Sequence, residues 1–160
     1  MRVSILTISD SVSAGRSEDR SGASVSSRCR QLGWEVVSSA VRADDQPAIQ
    51  AFLRETADAE AVDLILTTGG TGFGPRDVTP EATRAVVEKE IPGLAELMRA
   101  EGVKKTRRAA LSRGIVGLRK GKLIVNLPGS PRGARESIES ILDLLPHVVD
   151  LIQGRTAHHD

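Results

Sequence analysis

The sequence predicts an α/β fold: a three-layer sandwich with a central, mostly parallel sheet, helices on both faces and one antiparallel hairpin. Three observations predict it. Short β-rich runs alternate with segments of helical periodicity through the first half of the chain. The runs at 2–9 and 61–68 have the composition of buried strands, as a sheet covered on both faces requires. Near the C-terminus, two further runs flank Lys120-Gly121 in the pattern of a hairpin.

In chain order, RVSILTIS (2–9) is the first strand, and SDSVSAGRSEDRSG (9–22) is a polar loop of turn formers. From Ser21 to Leu32, the positions of Val25, Cys29 and Leu32 share one helical face, and Gly33 suits the stop. WEVVSSAV (34–41) is a second strand. Ile49, Phe52 and Leu53 then mark a helix through about 58, and AVDLILTT (61–68) is the third strand. Thr79-Pro80 predicts a helix start, with Thr79 as N-cap and a run to about Glu90. IPGLAELMRAEG (91–102) is a further short helix, and GIVGLRKGKLIVNLP (114–128) is the hairpin. Ser130-Pro131 opens a last helix with Ala134, Ile138, Ile141, Leu142 and Leu145 on one side, which Pro146 ends or kinks.

The 160 residues suit a single domain spanning 1–160. Aromatics are 2%, with no Tyr, so a base-stacking surface for single-stranded nucleic acid is not expected. A net charge of +1 gives no general field for DNA or an anionic membrane. Cys29 is alone, which excludes an intrachain disulfide. No stretch approaches the roughly 18 apolar residues of a membrane span. MRVSILTISDSV does not read as a signal peptide, so a cytoplasmic location is expected. His147 reads as a helix residue, His158 and His159 as a ragged tail, and KKTRR (104–108) as a solvated basic face or one that attracts a phosphorylated ligand.

In sheets of this kind, ligands sit at the carboxyl ends of the strands. Three loops converge there by this reading. TTGGTGFGPRDVTPEAT (67–83) carries glycines at 69, 70, 72 and 74, whose bare N–H groups can form an anion nest. The same glycines would serve a tight strand-to-helix connection. Neither common phosphate motif fits. Pro75-Arg76 follows Gly74 where a Walker loop needs Lys-Ser/Thr, and Pro75 stands in place of the third glycine of a dinucleotide fingerprint. Asp77 ends the loop, as a helix-start acid or as a Mg²⁺ ligand; Mg²⁺ takes one or two carboxylates plus substrate phosphates. Asp44 and Asp45, after the second strand, supply a partner carboxylate or a helix cap. NLPGSP (126–131) is a second cradle or a simple cap.

TTGGTGFGPRDVTPEAT together with NLPGSP resembles the molybdopterin adenylyltransferase family of molybdenum cofactor biosynthesis, the MogA/MoaB type related to the gephyrin G domain. The resemblance runs from ILTISDS through NLPGSP. It implies a homotrimer that binds molybdopterin and Mg-ATP, transfers AMP to the terminal phosphate of molybdopterin and releases pyrophosphate. It leaves room for the downstream metal-insertion protein of the pathway as a partner. By resemblance, the catalytic and Mg²⁺-binding acids fall on Asp77 and Asp44. Substrate binding falls on Gly69, Gly70, Thr71 and Gly72, on Pro128, Gly129 and Ser130, and on Ser9 and Asp10. The alternative on the same loops is a non-catalytic molybdopterin-binding or carrier module.

Overall fold

A computed structural model describes residues 1–59 and 61–155. The tail at His158 and His159 lies outside the described residues. Among the described residues, six strands form one sheet in the order β2-β1-β3-β6-β5-β4. They are β1 (Arg2–Ile8), β2 (Glu35–Arg42), β3 (Leu64–Thr68), β4 (Lys89–Glu90), β5 (Val116–Arg119) and β6 (Lys122–Leu127). The pairs β2/β1, β1/β3 and β3/β6 are parallel, while β5 runs antiparallel to both β6 and β4. The helices are α1 (Asp10–Ser13), α2 (Arg20–Gln31), α3 (Gln46–Asp58), α4 (Thr79–Arg84), α5 (Pro92–Val103), α6 (Pro131–Ile141) and α7 (Leu145–Ile152), with a 3-10 turn at Arg107–Leu111.

Alternation along the strands sends neighbouring side chains to opposite faces, which creates two apolar cores. On one face, Val3, Ile5, Leu64, Leu66, Leu123 and Val125 pack with residues of α2, α5, α6 and α7. On the other, Leu6, Ile8, Ile65 and Ile124 pack with Ile49, Leu53 and Ala57 of α3 and Ala82 of α4. β3 and β6 are buried at every residue, as expected of central parallel strands. The predicted three layers, mostly parallel sheet and hairpin are therefore present.

Four expectations change. The polar loop at 9–22 contains the short helix α1, capped by Ser9, whose Oγ accepts from the Val12 N–H at 3.3 Å. Thr79 is not the cap of α4: the cap position is Val78, and the Thr79 hydroxyl donates to the Gly69 carbonyl at 2.9 Å instead. The helix also stops at Arg84 rather than near Glu90. The N–H groups of Glu88 and Ile91 donate to the carbonyls of Leu118 and Val116, both at 2.8 Å, so this backbone joins the sheet as edge strand β4. Finally, Pro146 neither ends nor kinks α6, which already stops at Ile141; it lies in the first turn of α7, where no N–H is required. His147 lies in α7, as expected.

Candidate active site at the carboxyl ends of the parallel strands

All four parallel strands deliver a loop to the same end of the sheet. β1 leads into Ser9-Asp10, β2 into Ala43–Asp45, β3 into the glycine loop and β6 into Pro128–Ser130. The glycine loop must turn immediately after β3. Gly69 has φ +106°, and a Cβ there would lie 2.2 Å from the Ile8 carbonyl oxygen of β1. Gly70 has φ +68°, with its missing Cβ 2.3 Å from Thr79 Oγ1 and 3.1 Å from Asp44 Oδ1. Only glycine fits either position. The Gly69 N–H donates to the Leu127 carbonyl at 3.1 Å and the Thr68 hydroxyl to the Pro128 carbonyl at 2.6 Å, which ties the two cradles together.

The acids form a linked cluster. The Asp10 N–H donates to Asp44 Oδ2 at 2.9 Å, and the Asp44 N–H donates to Asp10 Oδ1 at 3.0 Å. Arg76 grips Asp10 through two hydrogen bonds, each 3.0 Å. That guanidinium, then the Asp44 backbone, holds the Asp10 carboxyl below the ordinary carboxylate range. Asp44 goes the other way. Burial raises its pKa first, and the charges of Asp10 and Asp77 raise it further. Asp77 Oδ2 accepts from the Gly74 N–H at 3.0 Å. Among the described residues, Asp44 Oδ1 and Asp77 Oδ1 receive no hydrogen bond, so each acid has one oxygen tied to a loop and one left over.

The predicted site residues divide between two cavities, except Asp10, which lines neither and is instead bonded to Asp44 and Arg76. Ser9, Asp44, Gly69, Gly70, Asp77 and Gly129 line an acidic cleft of about 350 Å³. Thr71, Gly72, Pro128 and Ser130 line a second cavity of about 250 Å³, with Thr106, Ala109, Leu111 and Ser112 opposite. The 69–72 and 128–130 loops are the shared wall. Asp45 separates from its neighbour: its Oδ2 accepts from the Ala48 N–H at 3.0 Å and caps α3. Ser130 caps α6, accepting from the Gly133 N–H at 3.0 Å. KKTRR follows α5 from its C-cap Lys104 and enters the 3-10 turn, with Thr106 and Arg108 on the second cavity rather than wholly on a solvated face.

Several residues at the site were not picked out by the sequence reading. Asp19 lines the cleft, caps α2 through the Gly22 N–H at 2.9 Å and accepts from the Thr7 hydroxyl at 2.7 Å. An Asp three residues before a helical glycine was an available cap signal. Buried Asn126 in β6 donates to the hydroxyls of Thr67 and Thr83, both at 3.0 Å, and accepts from the Ile115 N–H at 3.2 Å. An amide inside an apolar run asks for such partners. Arg113 reaches the glycine loop from the segment before β5, and no local pattern marks it.

Two glycine cradles, with Asp44 and Asp77 on one cleft and a second cavity across the same loops, carry the motifs on which the resemblance rests. Residues 4–147 match the family described as probable molybdopterin binding domain. The chain belongs to that family. It is 38% identical over 161 residues to a Helicobacter pylori protein named molybdopterin adenylyltransferase, covering 96% of this chain and 89% of that one. It is 45% identical over 153 residues to the Drosophila melanogaster molybdenum cofactor synthesis protein cinnamon, covering 92% of this chain but only 25% of the fly protein. The crystal structure of the molybdopterin biosynthesis enzyme MoaB from Thermus thermophilus superposes with a TM-score of 0.90 at 50% identity, covering 96% of each chain.

Proposed function

We propose that this protein is a molybdopterin adenylyltransferase of molybdenum cofactor biosynthesis, which uses Mg-ATP to convert molybdopterin to adenylyl-molybdopterin and pyrophosphate. The observation that carries this reading is the shared wall. The acidic cleft suits a metal-bound triphosphate, and the less charged cavity behind the glycine loop suits a flat heterocycle. Two substrates seated there would meet across bare backbone.

Among the described residues, no group of three or more His, Cys, Asp or Glu gathers as a metal cage. Mg²⁺ does not need one, because it keeps water and substrate oxygens as ligands. The unbonded oxygens of Asp44 and Asp77 fit that donor set, and Mg²⁺ held there would supply positive charge to the triphosphate. The N–H groups of Gly70, Thr71, Gly72, Gly129 and Ser130 would orient the phosphates. A terminal phosphate oxygen of molybdopterin attacks the α-phosphorus of ATP, and the bond to pyrophosphate breaks. The attacking oxygen is already ionised, so no general base is required, and positioning dominates. Asp10 and Arg76 hold Asp44 in place.

The proposal includes a single catalytic domain acting as a homotrimer in the cytoplasm, with the downstream metal-insertion protein as a candidate recipient of product. Among the described residues, no helix is long and apolar enough to cross a membrane. The test is pyrophosphate release from purified protein, molybdopterin and Mg-ATP. Release that requires all three supports the reading; none above a protein-free control overturns it in favour of the carrier alternative.

A further inference from the structure

We infer that Arg113 is a positioning residue that presets Asp77 for a divalent cation, an inference that rests on the proposed metal role of Asp77. One planar guanidinium joins three points. Nε donates to the Gly72 carbonyl at 2.7 Å, Nη2 donates to the Asp77 carbonyl at 3.0 Å, and Nη1 donates to the Glu81 carboxylate. The Arg113 N–H adds a backbone bond to the Thr71 carbonyl at 2.8 Å. The stretch from Gly72 to Asp77 is therefore held at both ends by the same side chain, and Glu81 anchors that side chain to the first turn of α4.

The geometry transmits this hold to the carboxylate. Asp77 Oδ2 lies 2.8 Å from the point where a Cβ on Gly72 would sit, so the acid rests on the backbone that Arg113 fixes. If Gly72 shifts, the carboxylate loses its seat. Gly72 and Thr71 also line the second cavity, next to Ser112. Arg113 thus stands behind the wall between the cavities and sets the acid on its far side. Lysine cannot replace it. An ammonium is one centre on a flexible stem, whereas the fork serves three acceptors in fixed directions. Residues that orient metal ligands in this way typically alter metal affinity by roughly 10- to 100-fold when removed.

The probe is Mn²⁺ alone, with free ion counted by electron paramagnetic resonance against the parent protein, Arg113→Ala and Arg113→Lys. Thermal unfolding is followed on the same samples. Both variants are expected to stay folded, because the Thr71 backbone bond remains, and to bind Mn²⁺ roughly 10- to 100-fold more weakly than the parent. Millimolar guanidinium is expected to restore binding to Arg113→Ala and not to Arg113→Lys, whose ammonium still fills the space. A purely structural arginine would lower the unfolding midpoint and leave Mn²⁺ affinity unchanged. Equal affinity in parent and variants overturns the inference while leaving the metal reading intact. A parent that binds no Mn²⁺ overturns the metal reading and the inference with it.

Discussion

Gly70→Ala is the sharpest structural test of the glycine loop. At φ +68°, an alanine carries a left-handed penalty of ~1–2 kcal/mol. The added methyl would sit 2.3 Å from Thr79 Oγ1 and 3.3 Å from Thr79 Cβ, so Thr79 must move and release the Gly69 carbonyl it bonds at 2.9 Å. Thr79 is fully buried, which leaves little room to yield. Overpacking of this kind costs ~1–3 kcal/mol. Together the two effects give a loss of ~2–5 kcal/mol, or a fall in melting temperature of ~4–20 °C for a domain of this size. Urea titration of parent and variant measures it. The same methyl would lie 3.1 Å from Asp44 Oδ1, so Mg-ATP binding should fall as well. A stability loss below ~0.5 kcal/mol, the range of ordinary surface changes, would refute the packing around Gly70.

Three further predictions follow from buried or shifted groups. The Asp44 carboxyl is raised above its ordinary 3.8, so its ionised form costs stability at neutral pH. Asp44→Asn is therefore expected to melt higher than the parent at pH 7 without metal, with the gain fading as pH falls through the raised pKa; a lower melting temperature at pH 7 contradicts this. Asn126→Leu strands the Ile115 N–H and the Thr67 hydroxyl, while the Thr83 hydroxyl still donates to the Thr79 carbonyl, and should lower stability by ~1–3 kcal/mol in urea titration, with an unchanged midpoint as the opposing result. Cys29 is 0% exposed and burial pushes its thiol up to about 11, so Ellman's reagent should label it only on unfolding; prompt labelling of the native protein would contradict the packing of α2.

Much of the fold was legible because its signals are local. Buried strands such as LILTT and KLIVNL declare themselves by composition, and Ser130-Pro131 carries its cap chemistry in two adjacent letters. What was not legible depended on distant partners. VEKE looks like a continuing helix until Leu118 and Val116 offer carbonyls to Glu88 and Ile91. Thr79 looks like a cap until Gly69 turns its carbonyl toward it. At the site, the motifs marked the glycines and both aspartates, but could not show that Thr71-Gly72 and Gly69-Gly70 line different cavities. Residue type alone left Asp44 and Asp45 equal and only the resemblance chose Asp44; in the structure Asp44 reaches Asp10 and Asp45 caps α3. Arg113 was invisible for the same reason: its acceptors lie 32 or more residues away in sequence.

The central claim is that the two cavities take different substrates and that only one of them depends on the acids. Binding calorimetry with Mg-ATP and, separately, with molybdopterin tests it on the parent and on the double variant Asp44→Asn/Asp77→Asn. The account predicts that the double variant loses Mg-ATP binding and retains molybdopterin binding. Loss of both, or retention of both, would contradict it.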